Sequence, residues 1–258
     1  MVHLKVSLAR ALSKLWYCSR TKAQPIIQAG RVRVNGLRNR DGETRVDLER
    51  DQIEVDGRLL TSEARIYLML NKPRGLVTTA SDERGRRTVY ECLANGGFPW
   101  LSPVGRLDKA SEGLLLFTND TRWAGKILAP ETHLEKTYHV QVDRFVDEEL
   151  RQRMINGITT EKGDFLKAKR LDLLRRGSRH SWLEVTLDEG KNRHIRRLLS
   201  AFGINVLRLV RVAIGPVRLG NLAKGSYRHL TGRERESLTK ATRKGNNLTK
   251  NGPVHYPS

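Results

Sequence analysis

Residues 104–120 read VGRLDKASEGLLLFTND. One carboxylate, Asp108, stands just past Gly105, between Arg106-Leu107 and Lys109, and the chain then runs into the apolar GLLLF of residues 113–117. A short, continuous apolar run bounded by turn residues reads as a strand buried on both faces. Asp108 therefore lies in a glycine-bounded loop positioned by a core strand, a placement that suits a functional side chain. An aspartate in a turn is ordinarily a cap or a solvated charge. Here Arg106 and Lys109 flank it with cations suited to phosphate.

The rest of the chain supplies the context. Its 258 residues leave room for one large domain or two modest ones. The 48 lysines and arginines exceed the 28 acidic residues by 20, an excess that calls for a polyanionic partner. Nucleic acid is the first candidate and an anionic membrane the second. No basic amphipathic helix or lipidation signal stands out, and the longest apolar runs are too short to span a bilayer. The opening MVHLKVSLARALSKLW has no long apolar core and reads as no signal peptide. Cys18 and Cys92 are too isolated for a disulfide framework or a metal knuckle and read as buried packing residues in a reducing, cytoplasmic setting. There is no GxxxxGK[ST] loop, no GxGxxG after a strand, no HExxH and no histidine cluster, so no nucleotide, nicotinamide or metal cofactor is expected.

Three segments follow from the patterning. In residues 1–62, VSLARALSKLW places Leu8, Leu12 and Leu15 at helical spacing. Ser19 offers an N-cap to a second helix stopped at Gly30, which Pro25 should kink or shorten. RVRVNG and DQIEVDG then read as strands closed by hairpin-turn dipeptides. Arg10, Lys14, Arg20, Lys22, Arg31 and Arg33 gather on this segment as candidate RNA contacts. In residues 63–235, strands arrive in runs and helices at irregular intervals, which predicts an α+β domain with a mixed, largely antiparallel sheet. Residues 236–258, polar, basic and rich in Gly and Asn, read as a disordered tail that adds nonspecific RNA affinity.

Two resemblances sharpen this reading. SRTKAQPIIQAGRVRVNG (residues 19–36) resembles the S4-like RNA-binding domain, Pro25 departing from its pattern. GRLDKASEGLLLFTND resembles the signature of RNA pseudouridine synthases, in the branch that carries an S4-like domain and modifies ribosomal RNA. LNKPRGLVTT (70–79), EKTYHVQVD (135–143), EGKNRHIRRLL (189–199) and RLVRVAIGP (208–216) are similar to that branch's other motifs, in the expected order. Together these cover nearly everything but the tail.

The resemblance implies that uracil is detached from its ribose, turned and rejoined through carbon 5, without redox equivalent or metal. It implies Asp108 as the nucleophile, whether toward carbon 6 of the base or the ribose anomeric carbon, and Tyr138 as the residue that stacks on the target base and helps move a proton. Arg106 would help hold the helix space the base vacates. Lys72-Pro73 reads as turn-shaping.

An ionised aspartate in a pocket that excludes water needs a close cation. In NRHIRRLLSAF, Ile195, Leu198, Leu199 and Phe202 form the buried stripe of a helix; Arg193 and Arg197 point away from it, and Arg196 lies on its flank. Arg196 is thus the partner that helical geometry allows, and the family's paired arginine maps to the same position. Arg193 and Arg197 read as RNA-backbone contacts, or as solvated, and His194 as a local hydrogen-bonding side chain.

The expected partner is ribosomal RNA or a ribosome-assembly intermediate, bound by a monomer, with the C-terminal motifs favouring large-subunit over small-subunit RNA. The alternative is a noncatalytic RNA-binding ribosome-assembly factor, for which the N-terminal segment alone would suffice. The joint presence of Asp108, Tyr138 and Arg196 argues against it. A carboxylate glycoside hydrolase would need a second acid, which only SDERG (81–85) offers, and the basic surface gives a neutral sugar no reason to bind.

Overall fold

The Ser19 hydroxyl accepts a hydrogen bond from the Lys22 amide at 3.4 Å and caps a helix that stops where Gly30 turns left-handed at φ +70°. The computed structural model, which describes residues 5–15, 17–48, 50–60, 65–177 and 179–248, places this helix in the smaller of two units. That unit comprises residues up to Ile66 together with 96–102 and 118–121. The 62/63 boundary read from the sequence lies outside the described residues.

In the smaller unit, α1 (Leu8–Lys14) and α2 (Arg20–Gln28) share a core with a four-stranded sheet of β1 (Val32–Val34), β2 (Leu37–Asn39), β3 (Ile53–Val55) and β4 (Arg58–Leu59), in the order β2-β1-β3-β4. Both predicted hairpin dipeptides turn the chain. Asn35-Gly36 has φ +51° and +79°, and Asp56-Gly57 has φ +51° and +75°, the left-handed pair that lets two-residue turns match strand twist. Leu8, Leu12, Ala23, Ile27, Val32, Ile53 and Val55 fill the core. Pro25 lies inside α2 without shortening it: the helix runs from its Ser19 cap to the Ala29 C-cap before Gly30.

The larger unit is built on a nine-stranded sheet. Its main path is β8-β9-β7-β10-β6-β5-β11, with β5 Tyr67–Lys72, β6 Glu112–Thr118, β7 Lys136–Val142, β8 Arg170–Arg176, β9 Ser181–Leu187, β10 Val206–Ile214 and β11 Tyr227–His229. Ser102–Val104 and Val217–Arg218 pair onto β6 and β10. On the main path β8 with β9, β9 with β7, β7 with β10 and β5 with β11 pair antiparallel, and β6 with β10 pairs parallel. The expected mixed α+β sheet is therefore present.

Val140, Val142, Leu183, Val185 and Leu209 form one core with Met154 of α4 (Glu148–Asn156) and Ile195, Leu198 and Leu199 of α5 (His194–Ala201). Tyr67, Met69, Leu114, Leu116 and Ile214 form another with Trp123 and Ile127 of α3 (Thr121–Leu128) and Leu238 of α6 (Gly232–Leu248).

Helix α6 corrects the reading of residues 236–258 as a disordered tail from 236 onward. Leu238 and Thr242 are buried, and the Trp123 indole donates to the Thr239 hydroxyl at 3.2 Å. Those contacts and the Arg228–Glu234 pair, at 2.8 and 2.6 Å, hold a helix whose sequence shows little apolar period; residues 249–258 lie outside the described part. Cys92 is half-buried rather than buried, Cys18 is buried, and burial pushes both thiols up. No helix among the described residues is long and apolar enough to cross a membrane.

Candidate active site

The loop before β6 is held by its backbone. Gly105 takes φ +80°, which a side chain would oppose. The Thr78 hydroxyl donates to the Leu107 carbonyl at 2.8 Å, the Ser111 amide to the Asp108 carbonyl at 2.9 Å, and the Gly75 amide to the Lys109 carbonyl at 2.8 Å. Lys72, at the end of β5, is wholly buried, and its ammonium donates to the carbonyls of Asp108 (3.1 Å), Ser111 (2.8 Å) and Pro73 (3.2 Å). Burial pulls its pKa down to about 8, against the pull of the Asp108 and Glu112 carboxylates. Lys72 does more than shape a turn: it ties together both ends of the Asp108 loop.

Four residues on, Glu112 fixes the start of β6. Burial raises its pKa, but two bonds from Arg208 at 3.0 Å each and one from Lys224 at 2.8 Å leave it below the usual carboxylate range. Gly113, at φ +101°, lets β6 and β10 meet, since a Cβ there would lie 2.3 Å from the Arg211 carbonyl oxygen.

Around Asp108 the arginines differ from the helical-wheel reading. Arg193 is the N-cap of α5 in the left-handed conformation, φ +49°, so its side chain leaves the helix in a direction no wheel describes. Its Nη1 lies 4.0 Å from Asp108 Oδ2. Arg196 does reach the pocket edge, but as a donor to the Ala110 carbonyl (3.2 Å) and the Val206 carbonyl (3.3 Å), with no ion pair to Asp108 within 4 Å. Its Nε has no hydrogen-bonding partner among the described residues. Burial pulls its pKa down, with Arg193 and Arg74 pushing the same way and Asp108 opposing. Arg197, read as an RNA contact, is instead paired with Asp164. The Asp108 side chain is 37% exposed, so it is less enclosed than the sequence reading expects.

Tyr138 lies on β7 opposite Arg211 of β10, and Arg211 lies opposite Gly113 of β6. This line across three strands sets Tyr138 about 9–10 Å from the backbone of β6, two strand spacings. Arg211 is nearly buried, donates from Nε to the Leu114 carbonyl at 2.7 Å and keeps a buried Nη2 without a partner among the described residues. Half-buried Lys136 is two residues from Tyr138, and burial pulls its pKa down, with Arg211 adding to the effect. The arrangement is a carboxylate on an anchored loop, ringed by cations, with an aromatic strand residue beyond them.

Residues 66–201 match the sequence profile of the family described as RNA pseudouridylate synthase. The chain belongs to the RNA pseudouridine synthases. It is 39% identical over 240 residues to an uncharacterized RNA pseudouridine synthase of Aquifex aeolicus, covering 92% of this chain and 95% of that one. It is 35% identical over 242 residues to the ribosomal large subunit pseudouridine synthase B of Bacillus subtilis, covering 93% and 98%. A crystal structure of a pseudouridylate synthase aligns with a TM-score of 0.61 at 31% identity, over 90% of this chain and 99% of the other. The synthase is thus an isomerase that acts on uridine in RNA, with the mixed-sheet α+β fold of its family.

Of the other predicted contacts, Arg106 and Lys109 are exposed beside Asp108. In the smaller unit, Arg10, Arg20, Lys22 and Arg33 are exposed and Lys14 is half-buried. Arg31 is exposed and pairs with Asp56 at 2.9 and 2.5 Å. His194 is buried, and burial pulls its pKa below the usual imidazole value, so the ring is neutral at pH 7. Sequence reasoning gave no role to Arg211 or Glu112, though both lie inside quoted motifs; a charged residue within a core-strand pattern was the available signal.

Proposed function

We propose that this synthase converts a uridine of ribosomal RNA to pseudouridine, with Asp108 as the nucleophile. The observation that carries the proposal is the Asp108 loop, pinned by Lys72 and held beside Arg193 and Arg196. In the reaction the carboxylate adds to ribose carbon 1 or base carbon 6, the bond from ribose to N1 breaks, and the uracil turns. A bond from ribose to carbon 5 forms, carbon 5 loses its proton, N1 ends protonated, and the carboxylate leaves. Product and substrate have equal mass. Splitting one hard displacement into two easier ones is what a carboxylate nucleophile offers.

Arg193 faces the Asp108 carboxylate and orients it, and Arg196 holds the loop through Ala110. Tyr138 stacks on the turned-out base and helps move the carbon 5 proton; its pocket offsets the few kcal/mol lost on unstacking.

The smaller unit is, in this proposal, an S4-like RNA-binding domain presenting Arg10, Arg20, Lys22 and Arg33. Large-subunit RNA is favoured over small-subunit RNA, supported by the name of the Bacillus subtilis relative. The synthase would act as a cytoplasmic monomer. Carbodiimide-dependent reverse-transcription stops test the proposal: a deletion strain should lose a stop in large-subunit RNA, and the purified chain should restore it on a transcript. RNA binding without restoration would favour a noncatalytic assembly factor.

A further inference from the structure

The far edge of the larger unit carries a basic feature that the reaction does not use. Among the described residues β8 is an edge strand paired only with β9, and the residues at the end of this hairpin include Arg175, Arg176, Arg179 and His180, all exposed. A β-bulge interrupts β8: Leu173 faces Leu183, Arg175 faces Trp182, and Leu174 is the extra residue. Bulges re-aim side chains. Here the bulge places Arg175 on the sheet face of Trp182, where the Arg208 guanidinium lies 5.8 Å from the indole centre. Arg176 falls on the opposite face, 6.0 Å from the centre of the Phe145 ring. Phe145 is 51% exposed. A third such pair follows, with Arg153 5.4 Å from the Phe202 ring, lining an open cavity of about 400 Å³ together with Arg144. Two carboxylates also line it: Asp147, engaged in capping α4 through the Leu150 amide at 2.8 Å, and exposed Glu149.

Among the described residues, Arg144, Arg175, Arg176 and Arg179 have no ion-pair partner within 4 Å, whereas Arg170 on the same strand lies 3.7 Å from Glu135. A charged edge can simply prevent strand pairing. That purpose does not explain why Phe145, Leu173 and Leu174 stay exposed beside the charges. Guanidinium groups free to meet phosphates, set beside an exposed aromatic face such as that of Phe145, are the combination that holds unpaired nucleic acid.

We propose that this hairpin end and the adjoining Phe145 face form a second RNA-binding surface, which holds an unpaired stretch of the substrate RNA away from the target uridine. The arginines meet phosphates and Phe145 stacks on a base. The inference rests on RNA being the substrate and is independent of which residue performs the chemistry.

The test is binding of the full chain to its rRNA substrate over a salt series, for wild type, Arg175→Ala/Arg176→Ala and Phe145→Ala, with single-turnover rates at saturating enzyme. Both changes are on exposed side chains, so circular dichroism should match wild type. The double variant should bind about tenfold more weakly, its log–log salt slope shallower by about 1.4 for two single-strand phosphate contacts. Phe145→Ala should weaken binding with the slope unchanged, and neither should alter the saturated rate. Wild-type affinity and slope in the double variant would overturn the proposal, whether the surface then serves a protein or nothing. Because binding is read without turnover, a chain that bound RNA through this surface but made no pseudouridine would refute the proposed reaction alone.

Discussion

Replacing Lys72 with methionine keeps the length of the side chain and removes its charge. At pH 7 the buried ammonium is costly. A pKa of about 8 against about 10.5 in the unfolded chain corresponds to about 3 kcal/mol disfavouring the charged form. Methionine recovers that cost. It also withdraws a donor from three carbonyls, of which Asp108 still receives the Ser111 amide. Two carbonyls short of a donor cost about 1–3 kcal/mol each. The opposing effects nearly cancel, so Lys72→Met should shift unfolding free energy by no more than about 3 kcal/mol. The loop, however, loses the tie between Pro73, Asp108 and Ser111, and misplacement by about 1 Å costs about a hundredfold in rate.

The pH dependence carries its own sign. Between pH 8 and 10.5 the unfolded chain holds more protons on Lys72 than the folded one, so this group adds stability as pH rises through that window. The stability of wild type relative to Lys72→Met should therefore increase by about 3 kcal/mol from pH 7 to above pH 10. Urea unfolding at the two pH values and single-turnover pseudouridine formation at saturating enzyme measure both effects. A variant with wild-type turnover, or a stability gap that ignores pH, would refute the reasoning and leave Lys72 as filler.

Arg196→Met unties Ala110 and should slow single turnover about a hundredfold, whereas Arg193→Met removes an exposed charge at 4.0 Å and should slow it only about fivefold; equal losses would show that loop anchoring is not what Arg196 provides. Gly113→Ala drives a Cβ to 2.3 Å from the Arg211 carbonyl at φ +101° and should cost about 3 kcal/mol or more, read as a urea midpoint. Leu238→Ala should cost about 2–5 kcal/mol, which a free tail would not show.

The architecture was legible where local chemistry decides it. GLLLF can only be buried, Asn35-Gly36 and Asp56-Gly57 can only turn, and Ser19 and Gly30 bracket α2 because cap and stop are single-residue effects. The Asp108 loop could be placed for the same reason, between a glycine that needs positive φ and a strand that needs a core. The surrounding contacts are long-range and were not legible. Arg193 was misplaced because a helical wheel assumes helical backbone, and this residue takes the left-handed form one step before α5 begins. Lys72 looked like a turn residue because its three acceptors include two from a loop more than thirty residues away. Helix α6 was missed because one buried leucine, an indole bond and the Arg228–Glu234 pair replace an apolar stripe. The end of β8 looked like one more basic run, because the bulge that sends Arg175 and Arg176 to opposite faces has no sequence signature.

The central claim is that the Asp108 carboxylate is the nucleophile, and Asp108→Asn tests it most directly. The amide keeps the shape, and the backbone anchors of Lys72, Ser111 and Thr78 do not involve the side chain. Incubated in excess with its rRNA substrate, the variant should bind RNA with wild-type affinity and give no carbodiimide-dependent reverse-transcription stop at the uridine that wild type converts. Pseudouridine formed by the variant at a rate well above the enzyme-free control would contradict the assignment.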